Sequence, residues 1–309
     1  MSTVSTSMRP FIAAALSFTI LTGGTKFVQA QDMPLRIQED ALAAQTQGNY
    51  PQAETLWREV LEDLPNDAKA LSGLGIALLS QDREDEAEVA FQAAIQSDSA
   101  LGYAAWGAAL ASQAQFAEAE AAYRNALASD STLADVHYNL GVAISRQNER
   151  LGQAEAAYRE AIRLDPEYDD AYYNLGSLLE QQQRYDEAQV AYQSALKIKP
   201  SFDIYNNLGS ILNIQKRHEE SEAAYRKAIQ LKAASVRAHR GLGDALFFQE
   251  RYEASEAAYR AALAIDPDFA DAHYGLGVAL FALGNGDEAE ASFQEAIRLK
   301  PSYASVLGR

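Results

Sequence analysis

The chain contains no cysteine. That excludes disulfides, thiol nucleophiles and cysteine-held metals, and it leaves no thiol for a lipid anchor near the N-terminus. Histidine is almost as scarce, with four residues at neither metal-ligand spacing nor the side of a nucleophile. No glycine-rich phosphate loop is present. Cations are outnumbered, 26 Lys and Arg against 43 Asp and Glu, for a formal net charge of -17. This argues against nucleic acid, which is bound by neutralising phosphates, and permits cationic partners. Many of the acids (Glu86, Glu88, Glu118, Glu120, Glu155) read as solvated helix faces.

Long hydrophobic runs are also missing. Residues 11–21, FIAAALSFTIL, form an uncharged stretch well short of the roughly 20 residues that span a bilayer, and Gly23, Gly24 and Lys26 stop its extension. A polar leader with Arg9 precedes it and Val28-Gln29-Ala30 follows, so residues 1–30 read as a secretory signal peptide, with 31–33 as a short linker. The length of the run opposes an uncleaved anchor, and a single Arg opposes a mitochondrial presequence. A soluble protein of an exported compartment such as the periplasm is expected, with no stable membrane anchor after cleavage.

What the chain does contain is one unit, repeated. In AEAAYREAIRLDPEYDDAYYNLG, residues 154–176, Ala154, Tyr158 and Ala161 share one face of a helix. Pro166 forbids its continuation, and a second helix begins with Asp169 and Asp170 at its positive end. At a spacing of about 34 residues the same pattern returns. A Leu-Gly pair or its equivalent recurs at Gly75, Gly107, Gly141, Gly176, Gly209, Gly243 and Gly277. Small residues follow at Ala87, Ala119, Ala154, Ala188, Ser221, Ser255 and Ala289, and then rings at Phe91, Tyr123, Tyr158, Tyr192, Tyr225, Tyr259 and Phe293. An earlier copy has Ala53, Trp57 and Pro65, but Ala41 where Gly is expected. Glycine inside a helix costs about 1 kcal/mol relative to Ala, so its recurrence requires an offsetting gain, namely close approach of another helix.

Period and pattern resemble the tetratricopeptide repeat (TPR) family. Repeats would run 34–67, 68–99, 100–133, 134–168, 169–201, 202–235, 236–269 and 270–303, with 304–309 as a tail. The resemblance implies an all-α, right-handed superhelical solenoid that works as a non-catalytic protein–protein interaction scaffold, without a cofactor or metal. His137, His239 and His273 fall at the fourth position of a repeat and His218 where other copies have Tyr, so the histidines read as framework residues. The first helix of repeat 3, nearly uncharged from Leu101 to Ala111, implies either unusually tight packing or an apolar partner.

In TPR proteins the second and sixth positions of the first helix look onto a concave groove. Asp135 and Asn139, Asp170 and Asn174, and Asp203 and Asn207 stand there. They resemble the asparagine ladder of the glycosyltransferase that adds N-acetylglucosamine to intracellular proteins, in which amides hold an extended peptide by its backbone. Tyr138 and Tyr173 supply flat rings beside them, and Arg237 and Arg240 reverse the sign in repeat 7. An acidic group or C-terminal carboxylate is expected near the two Arg and basic or hydroxyl side chains near the Asp. The carboxylate clamp of chaperone-binding TPR domains does not transfer, since Asp mostly occupies its cationic places. Assembly or regulation of a larger complex fits this surface. The alternative is a substrate-holding accessory for a glycosyltransferase or other modifying enzyme on a separate chain. Residues 302–309 look too short to cover the last repeat, so the flank near Phe293 and Ile297 is expected to seek a second copy or a partner.

Overall fold

Helices joined by tight turns make up the whole of the computed structural model, which describes residues 33–147 and 150–306. Two units emerge, Met1–Pro166 and Glu167–Arg309. The first holds the pairs α1 (Met33–Thr46) and α2 (Tyr50–Asp63), α3 (Ala68–Leu79) and α4 (Glu84–Ser97), α5 (Ser99–Ser112) and α6 (Phe116–Ser129), and α7 (Ala134–Ser145) and α8 (Leu151–Leu164). The second holds α9 (Asp169–Gln181) and α10 (Tyr185–Ile198), α11 (Phe202–Ile214) and α12 (His218–Leu231), α13 (Val236–Phe247) and α14 (Tyr252–Ile265), α15 (Ala270–Ala282) and α16 (Gly286–Leu299), and the short α17 (Tyr303–Val306). Among the described residues there is no strand. Met33, expected in a linker, already belongs to α1, and part of the expected tail is helical. Residues 1–30, read as a signal peptide, lie outside the described residues.

Local chemistry sets the boundaries. Asp67 accepts a hydrogen bond from Ala70 N at 2.7 Å and Asp98 from Leu101 N at 3.0 Å, each satisfying a donor that the helix start leaves orphaned. Within a pair the first helix closes through a residue at positive φ, as at Gln183 (61°). There Arg184 N donates to Leu179 O and Gln183 N to Glu180 O, both at 2.9 Å, which is a Schellman closure.

Packing then follows from glycine and ring. A Cβ on Gly176 would stand 2.6 Å from Tyr192 Cδ1, and one on Gly141 2.7 Å from Tyr158 Cε1. The other five repeating glycines meet Phe91, Tyr123, Tyr225, Tyr259 and Phe293 in the same way. Gly73, Gly241 and Gly275 approach Trp57, Tyr225 and Tyr259 from the following pair. These rings are therefore held between two successive first helices, and no pair buries its apolar face alone. In the copy with Ala41, Trp57 is fully buried and its Nε1 donates to Gln45 Oε1 at 2.9 Å.

Tight packing also accounts for α5. Gly102 lies directly against the backbone of α4 at Ala94 and Ile95, and Gly102, Ala105, Gly107, Ala108, Ala109 and Ala111 are all buried. The near absence of charge there accompanies close helix approach. At the last pair Phe293 is only partly buried, but Tyr303, from the segment judged too short to give cover, stacks on Tyr274 at 4.6 Å.

The acids of the second helices correct the sequence reading. Glu120 and Glu155, taken as solvated, are 6% and 7% exposed. Glu120 accepts from Gln147 Nε2 at 2.9 Å and from Arg150 Nη1 at 2.8 Å, two residues that flank the turn of the following pair. Glu54 is gripped likewise by Gln81 and Arg83, and Glu222 by Gln249 and Arg251. Burial is tolerated because the charge is paired and hydrogen-bonded; Glu155 is paired with Arg159. Hydrogen bonding from Arg150 holds the Glu120 carboxyl below the usual carboxylate range. Its contribution is therefore present above the ordinary carboxylate pKa and is lost as pH falls through its lower folded value. Glu120→Gln should destabilise the chain by about 1–3 kcal/mol near neutrality. Urea titrations along a pH series should show this difference in full above about pH 5 and closing in more acid solution.

Candidate peptide-binding surface

In the second unit the first helices present the expected residues in a row. α9 carries Asp170, Tyr173 and Asn174, α11 carries Asp203 and Asn207, and α13 carries Arg237 and Arg240. α11 packs on α13, and α13 on α15. The three positions at issue behave differently.

The fifth position faces the ring of its own pair. Tyr173 lies 6.1 Å from Tyr192, and Tyr274 lies 6.0 Å from Phe293. In the first unit Tyr138 lies 6.0 Å from Tyr158. Burial pushes the Tyr173 phenol up; the Asp203 and Glu180 carboxylates add to this, while Asn207 and Arg237 oppose it.

The sixth position is partly closed by packing, so the expected ladder is not uniformly open. Asn139 is only 3% exposed, so its amide is not presented to solvent. Asn207 Nδ2 donates to Tyr192 Oη at 3.4 Å, and Tyr192 Oη donates to Glu180 Oε2 at 2.7 Å. Where Gly replaces Asn at this position, at Gly241 and Gly275, the backbone abuts the preceding ring directly. The cause is steric: the ring that fills the gap between pairs ends here. Asn174 is half-buried.

The second position is the one left open. Asp170, Asp203 and Arg237 are exposed, and none of the three has a hydrogen bond or ion pair among the described residues. Asp135, in the first unit, is half-buried. Asp271 is occupied: Tyr303 Oη donates to it at 2.7 Å and Lys300 Nζ lies 3.2 Å away.

Arg240 differs from its neighbour Arg237. Its guanidinium is paired with Asp244, which also accepts from Tyr259 Oη at 2.7 Å. Burial pushes the Asp244 carboxyl up, and Arg240 pulls it back. The expected pair of cations is thus reduced to one uncompensated charge, Arg237. Sequence reasoning missed Asn206, which occupies the fifth position of α11, is 6% exposed, and keeps Oδ1 without a partner. Its signal was available in the Asn206-Asn207 doublet. It also missed Glu180 and Asp244, which anchor ring hydroxyls from within the first helices.

The histidines serve the framework. His137, His239 and His273 each place Nε2 within hydrogen-bonding distance of the carbonyl six residues earlier, at 3.0, 3.0 and 2.8 Å. Among the described residues no group of His, Asp and Glu could hold a metal.

Family models described as tetratricopeptide repeat match residues 40–101, 144–201 and 240–304, and, in a second model, 200–268. The chain belongs to the tetratricopeptide repeat family. Its helix pairs stack within each unit as an α-solenoid. Among solved structures it is similar to YrrB, described as a TPR protein with an unusual peptide-binding site, at 25% identity and TM-score 0.53, covering 58% of this chain and 92% of YrrB. It is also similar in fold to PilF of Pseudomonas aeruginosa, at 19% identity and TM-score 0.55 over 72% of this chain and 98% of that one. The C-terminal part of a TPR protein from Cytophaga hutchinsonii matches at 17% identity and TM-score 0.60, over 77% and 99%. Among curated proteins none matches.

The two Arg residues should separate on substitution. Arg240→Ala strands a half-buried carboxylate and should destabilise the fold by roughly 1–3 kcal/mol, whereas Arg237→Ala should stay within about 0.5 kcal/mol. Thermal and urea unfolding of both variants measures the difference.

Proposed function

We propose that this chain is a non-catalytic scaffold of an exported compartment that holds an extended segment of a partner protein against the first-helix face of its second unit, in the assembly or regulation of a larger complex. TPR repeats support a protein-interaction scaffold, and the likeness to YrrB supports a peptide as the bound element. The observation that carries the reading is the row of exposed, unpaired charges at the second position of α9, α11 and α13. Two neighbouring first-helix charges are paired, Arg240 with Asp244 and Asp271 with Lys300. Buried and paired charges serve the stack, whereas solvated, unpaired charges in register suit recognition. Export rests on residues 1–30. Among the described residues no helix is long and apolar enough to cross a membrane.

A photo-crosslinking amino acid at Asp203, introduced in the native host, tests both parts. Irradiation should link the chain to a discrete partner, and intact mass should show the recovered chain beginning at Gln31. A chain that retains Arg9 contradicts export, and crosslinks obtained only from a probe on the opposite helices, at Val190 for example, contradict the assigned face.

A further inference from the structure

The last residues of the first helices form an edge that the stack does not require to be apolar. Five residues after the repeating glycine, or after Ala41 in the first copy, stand Thr46, Ser80, Ser112, Arg146 and Gln181. In the next two pairs the same place holds Ile214 and Phe248, which are 52% and 60% exposed. Phe281, one position earlier in its own helix α15, is 72% exposed. Single apolar side chains on a surface are ordinary, whereas contiguous ones mark interaction sites. Here they are linked. His218, the first residue of α12, stacks on Phe248 at 4.9 Å, and Phe247 lies 5.8 Å from Phe248 and 5.4 Å from Tyr252. Phe247 also packs against the core cluster that includes Leu280, the neighbour of Phe281 in the chain.

The turns that follow these residues are acidic. Glu250 is the positive-φ residue of the turn after Phe248, and Glu219, Glu253 and Asp287 stand in the first turns of α12, α14 and α16. All four are exposed, and none has a hydrogen bond or ion pair among the described residues. The cations of these turns are mostly spent. Arg217 is paired with Glu220 and Arg251 with Glu222, so Lys216 is the exposed cation that remains. Ile214 and Phe248 lie eleven residues beyond Asp203 and Arg237, about 16 Å along the helix, which makes this edge a surface separate from the row of charges.

Charge selects the occupant. An acidic margin repels an anionic lipid surface, and in a chain of net charge -17 it also repels a second copy. A cationic segment is attracted, and unpaired carboxylates beside an apolar centre supply the polar rim of an interface. We infer that the edge formed by Ile214, Phe248 and Phe281 docks a partner segment that buries an apolar face there and carries Lys or Arg on either side of it.

The test uses the full chain, a fluorescein-labelled amphipathic Leu/Lys helix, and a peptide of the same composition in scrambled order. Fluorescence anisotropy should show the amphipathic peptide binding about tenfold more tightly than the scrambled one. Ile214→Ser/Phe248→Ser/Phe281→Ser leaves every charge in place and should remove that advantage while circular dichroism stays unchanged. Glu250→Gln/Glu253→Gln/Asp287→Asn should weaken the amphipathic peptide several-fold more than Glu84→Gln/Asp85→Asn/Glu118→Gln, which removes three exposed acids from the first unit. Equal binding of the two peptides, or an advantage that persists in the folded Ser variant, overturns the proposal, because attraction to a negative chain then suffices. Equal loss in the two acid variants overturns it as well, and decides the matter should the Ser variant fail to fold. Ser-sensitive binding to phosphatidylglycerol vesicles without a peptide preference assigns the edge to a membrane, and a Ser-sensitive dimer in sedimentation velocity assigns it to a second copy; either result overturns the partner segment. None of these readouts involves Asp203, so the crosslinking experiment on the first-helix face stands or falls separately.

Discussion

Each aromatic ring of the second helices needs a place where another helix has no side chain. A Cβ at any of the repeating glycines would fall within about 3 Å of a ring, closer than carbon atoms pack. Glycine therefore weakens every first helix by its own propensity and is retained because the ring it admits ties one pair to the next. Six of the seven rings that follow Trp57 are buried, and Phe293 is the exception. The remaining features of the stack, from the small residues of α5 to the partial closure of the sixth position, are consequences of how far those rings reach.

A second set of links follows the same period in polar chemistry. A carboxylate on a second helix is gripped by a Gln and an Arg beside the next turn, and ring hydroxyls end on Glu180, Asp244 or Ser145. These groups are paired because they lie between pairs, where an unpaired charge would be expensive. Charges beyond the reach of both networks, Asp170, Asp203 and Arg237, are left for solvent or a ligand. The surface proposed for binding is in this sense what remains after the stack has used the rest.

The steric part of the design was legible in the sequence, because a glycine and a ring sixteen or seventeen residues apart leave a pattern at every repeat, and Gly176 and Tyr192 meet as their spacing required. The polar part was not. Glu120 looks like any helix-surface Glu until Gln147 and Arg150, some thirty residues on, fold over it. Asn139 and Asn207 stood at positions associated with a groove, but whether a sixth-position side chain reaches solvent depends on where the preceding ring ends, which one repeat alone does not reveal. Arg240 likewise looked equivalent to Arg237, and only the four-residue step to Asp244 separates a structural cation from an available one.

The dependence of glycine on ring is measured most directly by a double-mutant cycle at Gly75 and Phe91, a pair without a ring hydroxyl to complicate it. In the wild-type background Gly75→Ala should destabilise the chain by about 1–3 kcal/mol through overpacking. With Phe91→Ala already in place, the added methyl group should instead stabilise it, by up to about 1 kcal/mol, as helix propensity alone would have it. A reversal of sign in urea unfolding is the expected result, and an equal effect of Gly75→Ala in both backgrounds would contradict it.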